Sequence, residues 1–235
     1  MARKFNVEVE NFYISYSDMI TLLLIFFVYL FSISEIDPVK LVQAMTSMRK
    51  EIVKDAATNA SDISAQMVKK LAMEQKKLQA MQQEIQKYIN EHQLQDVVSV
   101  KYQDGSLDLN MGDAVLFESG QAALKPQALD VLKKLGGLFR KSSSSIIVEG
   151  HTDDVPIQGG HFSSNWELSS ARSATVIRYL ESLGVSASRF TLVGYNQFRP
   201  LVPNNSSQNR AKNRRVRITL KPDINQLKQE ITAKR

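Results

Sequence analysis

Ile14–Ile33 is a run of 20 residues that carries a single charge, Asp18. As a helix it covers about 30 Å, roughly one bilayer core, so the run is expected to span a membrane. A carboxylate inside such a helix costs about 2.5–3.5 kcal/mol on insertion scales, and a chain that keeps one is expected to use it. At about 100° per residue, Thr21, Leu22, Ile25, Tyr29 and Ser32 fall within about 60° of Asp18, while Met19, Leu23, Phe27 and Leu30 lie opposite. Asp18, Thr21, Tyr29 and Ser32 therefore share a polar stripe that suits a partner or a water-filled path better than lipid. The plainer alternative puts Asp18 near the interface, reaching headgroup water. One span cannot enclose a path, so any transport role requires other chains.

The stretch before the span holds Arg3 and Lys4 and no small-residue cleavage site follows it, which reads as an uncleaved anchor. The chain has no cysteine, which excludes disulfides, thiolate metal sites and thiol nucleophiles. Its net charge is +6, and Arg199–Lys221 holds seven basic residues and no acidic one. Nucleic acid, anionic lipid, an anionic wall polymer or plain solvent are each compatible with that run. Its lack of interleaved aromatics speaks against single-stranded nucleic acid, and no nucleic-acid partner is expected.

Beyond the span, Pro38 can open a new helix, and residues 38–55 are moderately amphipathic through Val39, Leu41, Val42, Met45, Met48, Ile52 and Val53. From Asp62 to about Gln93 the spacing predicts a long helix. Ile63, Met67, Leu71, Leu78, Met81, Ile85 and Ile89 form a narrow stripe that Glu74 interrupts. A two-stranded coiled coil and a single helix lying on another surface both fit. Val97–Tyr102 and Ser106–Met111 alternate around Asp104-Gly105, which predicts a hairpin. Pro126–Lys141 and Asn165–Leu183 are predicted helices, the second stopped by Gly184. Ser145–Glu149, Phe190–Tyr195 and Val216–Lys221 are predicted strands. The fold class expected is α+β: an N-terminal transmembrane helix, a helical linker, then a two-layer α/β sandwich with helices on one sheet face. Ile224–Arg235 is a polar tail, helical or disordered.

Gly150-His151-Thr152-Asp153, Asn165, Leu168-Ser169-Ser170-Ala171-Arg172 and Asn213-Arg214-Arg215-Val216 follow one another in an order that resembles the OmpA-like peptidoglycan-binding domain. Phe117-Glu118-Ser119-Gly120 also fits. The resemblance implies that Asp153 and Arg172 clamp the zwitterionic end of diaminopimelate in the peptidoglycan stem peptide. An ammonium suits a carboxylate, and a carboxylate suits the guanidinium fork. It further implies that Thr152, Asn165 and Leu168 shape the same pocket, although Thr152 and Asn165 could equally hold turns. His151, Asp153, Asp154 and His161 match no standard zinc spacing, and no metal is expected.

The N-terminal half resembles a second family. Phe12-Tyr13-Ile14-Ser15-Tyr16-Ser17-Asp18-Met19-Ile20-Thr21-Leu22-Leu23 is similar to the span of MotB/PomB-type flagellar stator subunits, with Phe12 where relatives often carry tryptophan. The two resemblances together imply a non-enzymatic motor subunit with no cofactor. They imply a cytoplasmic N-terminus at 1–13, a span at 14–33, a plug-like segment at 34–55, a helical linker at 56–94, the OmpA-like domain at 95–221 and a tail at 222–235. Two copies would pass through a ring of A-type partners in the inner membrane, and the large C-terminal part would lie in the periplasm. Asp18, with Thr21 beside it, would take up and release a proton or a sodium ion; the resemblance does not choose between them, and H+ is expected over Na+ on base rate alone. A stator-like complex outside the flagellum and a passive wall tether are the alternatives.

Overall fold

The computed structural model describes residues 16–26, 58–157 and 161–233. The chain divides into two units, Met1–Ala57 and Thr58–Arg235. In the first unit residues 16–26 are helical. The Thr21 hydroxyl donates to the Ser17 carbonyl at 2.7 Å, the usual back-bond of a helical threonine. Among the described residues no helix is long and apolar enough to cross a membrane. The remainder of the expected span, the N-terminal lead at 1–13 and the segment at 34–55 lie outside the described residues.

The second unit is built on a five-stranded sheet. Its strands are β1 (Val98–Gln103), β2 (Ser106–Gly112), β3 (Ser145–His151), β4 (Phe190–Gly194) and β5 (Arg215–Lys221), in the spatial order β1-β2-β5-β3-β4. All neighbours are antiparallel except β3 and β4. The β1–β2 hairpin pairs Gln103 with Ser106, so its loop is the two residues Asp104 and Gly105. Both have positive φ, 52° and 75°, as a tight hairpin turn matched to strand twist requires. Strand alternation puts Leu107, Leu109, Met111, Ile146, Val148, Val216, Ile218 and Leu220 on one buried face.

That face is covered by α1 (Thr58–Glu91), α3 (Pro126–Phe139) and α4 (Asn165–Ser182). The short helices α2 (Asp113–Leu116), α5 (Ser207–Asn213) and α6 (Ile224–Thr232) complete the unit. Ala128, Leu132, Leu135 and Phe139 of α3 and Val176 and Leu180 of α4 join the core at helical spacing.

The stripe on α1 has its partner within the same chain. Leu78, Met81, Ile85 and Ile89 are buried in the core with the sheet, so the C-terminal part of the expected linker is structurally part of the domain. Within the expected tail, Ile224–Thr232 forms α6, capped by the Asp223 carboxylate accepting from the Asn225 and Gln226 amides, and Leu227 and Ile231 are buried where this helix packs on α1.

Glu74, the residue that breaks the apolar stripe, is 3% exposed and ties α1 to the loop before β3. Its Oε1 accepts from Ser142 Oγ (2.6 Å), Ser143 N (2.8 Å), Ser144 N (3.1 Å) and Ser144 Oγ (3.1 Å), and Lys77 Nζ reaches Oε2 at 3.1 Å. Burial alone would raise this carboxyl's pKa. The hydrogen bonds from Ser142, Lys77 and the Ser143 amide, with the Lys77 charge, outweigh burial and hold it below the ordinary value of 4.5. A depressed carboxylate stabilises fully above its unfolded pKa and loses that contribution as pH falls through the folded one. Glu74→Ala leaves several buried donors unpaired and is expected to cost about 2–4 kcal/mol at pH 7. Thermal unfolding checks this: the wild-type advantage should shrink once pH drops below 4.5, and an unchanged Tm at neutral pH would remove the latch.

Candidate functional site

The carboxyl end of β3 runs into Thr152-Asp153, and α4 starts beside it. Two glycines let the helix lie unusually close to the strands. A Cβ at Gly150 would run into the Ser169 carbonyl oxygen, and one at Gly194 into Ser170 Oγ. The Ser164 side chain caps α4 by accepting from Glu167 N, and the Glu167 carboxylate accepts in return from Ser163 N and Oγ. The helix is thereby anchored at the end where Asn165, Leu168 and Arg172 project.

Thr152, Asp153, Asn165, Leu168 and Arg172 all line one cavity of about 1240 Å3. Their local roles differ. The Thr152 amide donates to Asn196 O (3.0 Å) and its hydroxyl to Asp153 O (2.9 Å), so it holds the strand end to the β4 loop. Asn165 Nδ2 donates to Val155 O at 2.8 Å and fixes the loop after Asp153. Leu168 is buried in the wall. Asp153 and Arg172 carry the charge.

Each of these two is paired with a residue that sequence reasoning left out of the site. Arg172 Nη1 lies 3.0 Å from Asp113 Oδ1, and Arg214 Nη1 lies 2.6 Å from Asp153 Oδ2. Arg214 Nε is 3.9 Å from Asp113 Oδ2, which links the pairs into a row Arg172–Asp113–Arg214–Asp153. Arg172 also donates from Nε to Gln121 O at 2.9 Å and has Phe117 under its guanidinium at 5.1 Å from the ring centroid. Burial pushes the Asp113 carboxyl up, overriding the opposite pull of Arg172 and Arg214. Burial likewise lowers Arg172, against the pull of Asp113, from a value so high that it stays charged. Asp113 was detectable in principle, since it continues the inward-facing series Leu107, Leu109, Met111, and a carboxylate in a core register needs a reason.

The closing Asn-Arg-Arg-Val element sends its residues in different directions. Asn213 accepts from the Leu201 and Val202 amides and donates to Val202 O and Asn204 Oδ1, pinning the preceding loop. Arg214 enters the cavity, and buried Arg215 donates to Asn213 O and Arg199 O. Burial brings the Arg215 pKa down to about 10. Arg217 pairs with Asp108 at 2.9 Å on the uncovered sheet face. The basic run therefore does not form one continuous cationic face.

His151 is buried and stacked on Tyr195 at 5.3 Å between ring centroids, while His161 lines the cavity and Asp154 is exposed. Burial holds His151 below the ordinary histidine value and keeps it neutral near pH 7. Among the described residues no group of three or more His, Asp or Glu side chains is placed to hold a metal ion.

All four residues of this row of alternating charges line the cavity. Residues 116–214 match the OmpA family, and residues 3–52 match the family described as membrane MotB of the proton-channel complex MotA/MotB. The chain is similar to the uncharacterized protein YtxE of Bacillus subtilis, 32% identical over 217 residues that make up 90% of this chain and 88% of that protein. It is 28% identical to Motility protein B of the same organism, over 91% of each chain. The crystal structure of a MotB-like protein from Desulfovibrio vulgaris superposes with a TM-score of 0.59 at 32% identity, covering 65% of this chain and 99% of that one. Matched to both families in one chain, and to relatives along nearly its whole length, this chain belongs to the MotB-type family of stator subunits that carry a C-terminal OmpA-like domain.

Proposed function

We propose that this chain is the B-type stator subunit of a flagellar motor, carrying ions at one end and gripping the cell wall at the other. Its N-terminal segment spans the inner membrane once, two copies pass through a ring of A-type subunits, and Asp18 takes up and releases a proton in each cycle. Thr21 stands on the same helix face. Its hydroxyl proton is committed to Ser17 O, so what it can offer an ion is lone pairs. Residues 34–55 act as a plug that blocks leak before the unit docks.

The wall-binding half of this reading rests on one observation above all, the row Arg172–Asp113–Arg214–Asp153 inside a cavity of about 1240 Å3. The ammonium of diaminopimelate displaces Arg214 from Asp153, and Arg214 is free to turn outward because its side chain is 38% exposed. The ligand carboxylate meets Arg172, whose position is already set by Asp113, Gln121 and Phe117. A pre-set guanidinium loses little entropy on binding, which favours affinity. Thr152 and Asn165 hold the two loops that carry this geometry, and Leu168 packs against the aliphatic part of the ligand. Held to the wall in this way, the subunit transmits torque to the rotor instead of turning with it.

Expression with its own A-type partner in a stator-deleted host tests the whole reading. Rotation of tethered cells should return, and it should persist when sodium is removed. Correct membrane insertion without rotation would move the chain to a passive tether or to an ion-driven complex outside the flagellum.

A further inference from the structure

The cavity holds more positive charge than a zwitterion can use. Four arginines and two aspartates line it. Both aspartates are matched, Asp113 by Arg172 and Asp153 by Arg214. Arg178 and Arg210 are left over. Among the described residues neither has an acidic partner: Arg178 donates to Thr175 Oγ1 of its own helix at 3.0 Å, and Arg210 to the carbonyl of Asn204 at 3.0 Å. A ligand end bearing one ammonium and one carboxylate leaves this surplus of two unchanged.

One of the two, Arg178, is also displaced along the cavity. Leu168, Ala171, Thr175 and Arg178 line it at helical spacing on α4. At about 1.5 Å per residue, Arg178 stands about 9 Å along the helix from Arg172 and about 15 Å from Leu168. The end of one side chain does not reach both arginines, whereas a short peptide does. Surplus guanidinium groups on a concave wall attract carboxylates and repel ammonium groups.

We infer that Arg178, with the equally unmatched Arg210 adding to the positive field of the same cavity, receives a second carboxylate of the stem peptide, the α-carboxylate that a γ-linked glutamyl residue leaves pendant to the chain, so that the site selects peptides in which this group is free over those in which it is amidated. The inference rests on the clamp at Asp153 and Arg172 described above. An amide keeps the shape of the carboxylate but removes its charge, and a guanidinium fork gains far less from it.

Isothermal titration of the full-length chain in detergent, with three ligands, tests it. The ligands are free diaminopimelate, a γ-linked stem tripeptide with its glutamyl α-carboxylate free, and the same tripeptide with that group amidated. The free tripeptide is expected to bind about three- to tenfold more tightly than the amidated one, the range of one or two partly exposed charged contacts. Arg178→Gln and Arg210→Gln should each reduce that ratio and leave the affinity for diaminopimelate unchanged. Added salt should reduce it too. Equal affinity of wild type for both tripeptides overturns the inference and leaves the clamp standing. So does a ratio that survives in both variants. Failure of diaminopimelate itself to bind overturns the clamp and the inference with it.

Discussion

Asp18→Asn is expected to abolish rotation completely while the protein reaches the membrane at the wild-type level. Asparagine has nearly the shape of aspartate and fits the same helix face, so packing against partner helices is preserved. It cannot accept and release a proton near neutral pH. A carboxylate can. Insertion should be no harder for the variant, since a carboxylate within the apolar run is removed; about 2.5–3.5 kcal/mol, the cost at a helix centre, is the upper bound for a residue this near the start of the run. Tethered-cell rotation and quantification of membrane fractions check both halves. Asp18→Glu, which keeps the acid on a longer stem, should retain partial rotation. Normal rotation by Asp18→Asn would take this residue out of the mechanism, and loss of the protein from the membrane would make its role structural.

The second large effect is expected at the wall. Asp153→Asn should weaken binding of diaminopimelate-containing peptide by about 10- to 100-fold, the loss of a charge-assisted hydrogen bond of about 1.5–3 kcal/mol. The fold should hardly notice. The amide oxygen can still accept from Val155 N, now 3.2 Å from Asp153 Oδ1, and Arg214 can turn to solvent. Arg172→Ala is the less clean variant, because it strands the buried Asp113 carboxylate and destabilises by about 3–5 kcal/mol. Cosedimentation with purified sacculi and a melting curve on the same Asp153→Asn sample separate the two effects. Wild-type cosedimentation with an unchanged Tm would remove Asp153 from the clamp.

Much of this molecule is readable along the chain. The Asp104-Gly105 turn, the alternation of β2 and the helical spacing of α3 and α4 follow from backbone geometry within a few residues, and the structure has each of them. Thr152, Asp153, Asn165, Leu168 and Arg172 are legible through the order of the motifs, and they line one cavity. The stripe on α1 was legible as a stripe but not as to what it faces. A coiled coil and an intramolecular contact use the same apolar spacing, and Glu74 looked like a defect in both. It is the residue that locates the helix, because its five donors come from Lys77 and from a serine loop nearly seventy positions away.

The elements, the hairpin, the acidic residue at position 18 and the motifs that carry Asp153 and Arg172 can be read along the chain, because they depend on local periodicity or on contiguous residues. The pairing of Arg172 with Asp113 and of Asp153 with Arg214, and the lack of an acidic partner for Arg178 and Arg210 among the described residues, emerge only in three dimensions. Those relations join the ends of β2 and β3, the start of β5 and the middle of α4, and they exist because the sheet order sets β5 between β2 and β3. Ion pairing is a matter of a few ångströms in space, and separation along the chain carries almost no information about it.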